Sequence, residues 1–183
     1  MRNHRIDIAE RQDNMLRWFI YTLIGIGFGI LDWDFLNWLT YDLSRSFIGQ
    51  PILWFILKNL LNYGIWLVPI LPIVFFESQK AINSKKPAYT GMLTWGSAVL
   101  SYYAYYWMLL SLGKLPHWAY LNIFGSKYNG FWLDYWRKIN YLIFDQILEW
   151  FPIAILGGAI VGGLVWHLTN RNKKSSSPPR RLF

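Results

Sequence analysis

The residues best able to do chemistry stand at the edges of long apolar blocks. Asp32 and Asp34 close a block that begins near Trp18, Lys58 and Asn62 are four apart in a second block, and Asp145 and Glu149 are four apart just before Pro152. An ionised side chain at the depth of a lipid core costs about 3 kcal/mol even on lenient scales, so such residues face a protein interior or a water-filled cavity. Residues four apart share one helical face. Two carboxylates so placed repel each other, and a cation or a proton relieves the repulsion. Nearby aromatic rings, Tyr102 and Tyr106 among them, add cation–π attraction of about 0.5 to 2 kcal/mol.

Asp32, Asp34, Lys58, Asn62, Tyr102, Tyr106, Asp145 and Glu149 are therefore expected to line an outward-facing vestibule for a small polar or cationic solute. The plainer reading of the same residues is structural. Lys58 then snorkels to the interface, Asp32 and Asp34 mark where a span leaves the lipid, and Asp145 and Glu149 form the wet face of an interfacial helix.

Other chemistry finds little support. There is no cysteine, hence no disulfide, thiolate metal site or cysteine nucleophile. His4, His117 and His167 fall in three separate regions and cannot form one metal site. Neither H-E-x-x-H, nor G-x-S-x-G, nor a phosphate-cradling loop occurs. No metal and no cofactor are expected, and the expectation is of a protein that is not an enzyme. An intramembrane enzyme using the outer carboxylates as acid and base stands as the third reading.

What positions these residues is a set of apolar segments about twenty residues long, the length that crosses a hydrocarbon core of about 30 Å at 1.5 Å per residue. Four spans are expected, over about 18–35, 52–76, 89–112 and 151–168. Pro69 and Pro72 predict a kink in the second. Gly125, Asn129 and Gly130 mark residues 113–130 as loop.

From 131 to 150, Trp132, Trp136, Ile139, Ile143, Ile147 and Trp150 recur on one face, with Asp134, Lys138, Asp145 and Glu149 opposite, which predicts an amphipathic helix lying in the outer interface. A fifth, tilted span is the alternative for that segment. The tail, 169–183, is basic and rich in serine and proline, a composition that predicts disorder. The fold class is thus all-α, a polytopic transmembrane helical bundle of about four spans plus an outer interfacial helix.

Charge sets the orientation. Two thirds of the 18 basic residues lie in three segments, the N-terminal 1–17, the stretch 77–88 after the second span, and the tail. Four spans put all three on one side, which the retention of Lys and Arg in the cytoplasm identifies as the inner one. The expected location is the plasma membrane, with both termini cytoplasmic. The net charge of +8 then reports topology and attraction to anionic lipid rather than phosphate recognition, and nucleic-acid binding is not expected. Trp33, Trp38, Trp54, Trp107, Trp118, Trp132, Trp136 and Trp150 map near the outer interface as an aromatic belt.

Small residues form two faces, Gly25, Gly27 and Gly29 in the first span and Ala154, Gly158 and Gly162 in the last, where Gly158 and Gly162 make a G-x-x-x-G. Such faces let another backbone come close. They are expected to pack helices of the same chain, with docking of a membrane-protein partner or a second copy as the alternative. The leading expectation is a non-catalytic membrane protein that binds or passes a small solute or forms the membrane subunit of a transport complex. Its rival is an assembly subunit that docks a partner through the glycine faces.

Overall fold

The computed structural model describes residues 2–46, 51–112 and 132–175. Five helices account for nearly all of them: α1 (Arg2–Ser46), α2 (Pro51–Gly64), α3 (Leu67–Lys80), α4 (Lys85–Ser111) and α5 (Trp132–Ser175). The protein is all-helical, with no strand among the described residues. Two helices carry segments long and apolar enough to cross a membrane, Gln12–Trp33 in α1 and Ile139–Arg171 in α5. At 1.5 Å per residue the shorter spans about 33 Å. Large apolar side chains on both are exposed, among them Phe19, Leu23 and Leu31 on α1 and Phe144, Leu156 and Ile160 on α5. A soluble monomer rarely leaves so much contiguous apolar surface to water.

Helix α4 packs against α1, α3 and α5, and its composition explains why. Gly91, Gly96 and Ala98 keep its surface low, while Thr90 and Ser97 fill the gaps with short polar groups whose needs its own carbonyls meet. Thr90 Oγ1 donates to the Lys86 carbonyl at 3.0 Å and Ser97 Oγ to the Thr94 carbonyl at 3.0 Å. The core cluster joins Ala98, Val99, Tyr103, Tyr106 and Leu110 of α4 to Trp33 of α1, to Trp66 and the α3 residues Ile70 and Val74, and to Ile139, Ile143 and Ala154 of α5.

Chain directions follow from the contacts. Gly25 abuts Thr94 and Gly29 abuts Ala98, so α1 and α4 run parallel. Gly91 abuts Gly158 and Gly162 abuts Pro87, so α4 and α5 run antiparallel. Tyr21 meets Glu77 and Phe28 meets Trp66, so α3 runs antiparallel to α1.

Three expectations change. The segment expected to kink at its prolines instead separates into α2 and α3 around Ile65 and Trp66. Pro69 has no N–H to return to the Ile65 carbonyl. That carbonyl accepts the Val68 N–H at 3.0 Å instead, a tighter turn that ends one helix and starts the next, with Pro69 in the first turn where no donor is needed. Residues 131–150, expected as a separate interfacial helix, continue from Trp132 into the last apolar segment as one helix with Pro152 inside it. The Pro152 side chain is exposed, so its ring disturbs the outer side of the helix and not the packed one. The tail, expected as disordered from 169, is helical to Ser175. Residues 113–130 and 176–183 lie outside the described residues.

Candidate functional site

One stripe of α1 is buried along its length. Tyr21, Gly25, Gly29, Asp32 and Trp33 recur at spacings of three and four, with Arg17 one turn before them. The two glycines make this stripe possible. A Cβ at Gly25 would stand 2.5 Å from the Thr94 carbonyl oxygen, and one at Gly29 would overlap the Ala98 carbonyl oxygen. Ser101 Oγ also donates across the contact to the Ile26 carbonyl at 3.1 Å. So close an approach seals the seam between α1 and α4, and it carries the side chains beyond each end of the glycine pair into the interior.

At the far end that side chain is Asp32. It is 2% exposed, and neither carboxylate oxygen has a hydrogen-bond partner. The Trp33 ring stacks on Tyr106 at 4.2 Å and meets Tyr102 edge-on at 5.4 Å. Tyr102 in turn meets Trp66 at 5.7 Å, and Trp66 meets Phe28 at 5.8 Å. A buried carboxylate is stabilised by donors or by an opposite charge. Asp32 has neither among the described residues.

At the near end is a second buried acid, Glu77 of α3, which is 0% exposed. Its phase explains its burial, because Trp66, Ile70, Val74 and Glu77 fall on one face of the helix. Tyr21 donates to Oε1 at 2.7 Å. Arg17 lies 3.6 Å from Oε1 and Lys86 lies 3.6 Å from Oε2, so α1 and α4 each bring it a cation. Arg17 also pairs with Asp13, and Lys86 donates to Asn14 Oδ1 at 2.7 Å. Trp166 of α5 donates to the Ala81 carbonyl at 3.1 Å, fixing the end of α3 beside this cluster. All four of these helices therefore meet at one level. Tyr21, beside Glu77, is eleven residues before Asp32, which separates the two acids by about 16 Å along α1.

The structure sets Tyr102 and Tyr106 against the ring of Trp33, the residue after Asp32, and leaves Asp145 and Glu149 on another side of α5. Both of the latter are exposed, on the side of α5 away from Ile139, Ile143 and Ala154. The side chains of Asp34, Lys58 and Asn62 lie outside the described residues. The small-residue faces are occupied within the chain: Gly25 and Gly29 meet α4, Gly158 meets Gly91, Gly162 meets Pro87 and Ala88, and Ala154 is fully buried. Among the described helical glycines, Gly27, Gly64 and Gly163 have open space beside them.

The Glu77 cluster does not stand out in the sequence, where Glu77 falls at the start of the basic stretch after the second apolar segment. The available signal was a carboxylate in phase with the apolar stripe of its helix, together with Arg17 in phase with Tyr21, Gly25 and Gly29. No group of His, Cys, Asp or Glu suited to a metal occurs among the described residues. No protein-family model, no curated protein and no solved structure matches the chain.

Proposed function

We propose that this chain is a plasma-membrane protein of four crossings, α1, α2 with α3, α4 and α5, with both termini cytoplasmic, and that it binds and passes a small cation at Asp32. The alternation of chain direction through α1, α3, α4 and α5 supports four crossings, since each consecutive crossing must reverse. The excess of Lys and Arg on the N-terminal side of α1 and after α3 supports the orientation.

One observation carries the binding site. Asp32 is a buried carboxylate without donor or counter-charge among the described residues, on the packed side of a membrane-length helix and one residue before Trp33, whose ring stacks on Tyr106. An isolated carboxylate so placed costs several kcal/mol, which a bound cation or proton removes. Aromatic rings at hand favour a cation of low hydration, such as an organic ammonium. Binding needs no bond to be broken, which is why the reading is a carrier or the membrane subunit of a transport complex and not an enzyme. Docking a partner through glycine faces finds less support, since Gly25, Gly29, Gly158 and Gly162 already meet backbone within the chain.

Purified protein is expected to gain thermal stability in millimolar tetramethylammonium or an alkali cation, and Asp32→Asn to lose that gain while staying folded. If the variant and the wild type shift equally, or no cation shifts either, Asp32 is not the site. Alkaline carbonate extraction and labelling of terminal tags in intact cells test the crossings.

A further inference from the structure

Lys85 and Lys86 are neighbours with opposite fates. Lys86 is consumed by Glu77 and Asn14, whereas the exposed Lys85 ammonium has no acidic partner among the described residues. Lys85 precedes Tyr89 by four and Met92 by seven, so these three lie on one face of α4. That face borders an open groove of about 420 Å³ lined by Trp18 of α1, by Tyr89, Met92 and Leu93 of α4, and by Ile155 of α5. The lining is almost wholly apolar. From Lys85 to the level of Ile155, which lies against Gly96, is eleven residues, or about 16 Å of helix. One leaflet of the hydrocarbon core is about 15 Å deep, half of the 30 Å bilayer.

We propose that this groove is a binding site for one anionic phospholipid of the inner leaflet, with an acyl chain against Trp18, Met92, Leu93 and Ile155 and the phosphate at Lys85. The inference rests on the membrane reading but not on Asp32. Depth and charge select the occupant. From Lys85 to the inner end of the groove is the depth of one leaflet, the groove is apolar and open, and one turn beyond its Tyr89 end stands a cation that no acid among the described residues neutralises. Trp18 and Tyr89 flank that end, at the depth where amphipathic rings sit among headgroups.

The test is native mass spectrometry of the full chain released from nanodiscs of equal parts phosphatidylglycerol and phosphatidylcholine. Wild type is expected to retain one phosphatidylglycerol in about fivefold preference, the worth of one lysine near an anionic surface. Lys85→Gln, on an exposed side chain, is expected to bring the preference to about one. Leu93→Trp, which fills the groove, is expected to lower retention of both lipids. Retention without preference in the wild type, or a preference that survives Lys85→Gln, overturns the site. So does efficient homodimer cross-linking through Met92→Cys, a unique thiol in this cysteine-free chain, because a second copy would then fill the groove. Wild type that washes from membranes in alkaline carbonate fails the underlying membrane reading instead, independently of any lipid preference.

Discussion

Asp32 and Glu77 are two buried acids on one seam of the molecule, and their surroundings are opposites. Glu77 receives a phenol hydroxyl, a guanidinium and an ammonium from two helices, so its charge is matched where it stands. Asp32, one residue before the Trp33 ring that stacks on Tyr106, receives nothing of the kind from the described residues. An acid that comes with its counter-charges joins helices, while an acid without them needs something from outside the chain. Burial alone does not distinguish the two. The partners do.

The largest expected effect comes from breaking the matched site. Glu77→Ala leaves Arg17 and Lys86 facing a buried void and should cost about 3 to 5 kcal/mol, read as a fall in the melting temperature of the detergent-solubilised protein. The comparison sharpens if Arg17→Met and Lys86→Met are added to Glu77→Leu. Removing all three charges together should return most of the loss, since apolar replacement of a whole buried ion cluster is commonly neutral or better. A triple variant no more stable than Glu77→Ala would mean that the cluster contributes through shape instead of charge.

Next in size is the seal between α4 and α5. Gly158→Leu drives a side chain into the Gly91 backbone and should cost at least 1 to 3 kcal/mol, as overpacking does, read by the same melting curve. Without ligand, Asp32→Asn should raise stability by about 1 to 3 kcal/mol, because it relieves a buried charge that has no partner among the described residues. It should nevertheless abolish any cation-dependent gain. A large loss of stability in this variant would make Asp32 a second structural acid and erase the contrast. Smallest of all is Asp13→Asn. It removes an exposed i, i+4 pair with Arg17, worth about 0.3 to 0.5 kcal/mol and weaker in high salt.

Much of this is legible in the order of residues alone. Apolar blocks of membrane length, glycine faces, Asp32 and its tyrosine neighbours all stand out in the sequence, because burial in lipid or protein selects residue type position by position. Glu77 did not stand out. Its importance depends on Arg17 and Lys86, which lie sixty residues before it and nine after it, and no local pattern reveals a partner so remote. Pro69 and Pro72 predict a kink where the chain instead breaks into α2 and α3, for a related reason. Proline disturbs the carbonyl four residues earlier, so Pro69 ends a helix at Ile65 and not at itself. Conversely, the change from an amphipathic to an apolar pattern near residue 150 predicts two elements where α5 simply continues, the Pro152 ring on its outer side.

The lengths of α1 and α5 carry one more consequence. At 45 and 44 residues each extends about 67 Å at helical rise, more than twice the thickness of a hydrocarbon core. No tilt in the ordinary range absorbs that excess. In a bilayer, roughly half of each rod must stand clear as a stalk, and any soluble molecule approaching the membrane would touch those stalks first.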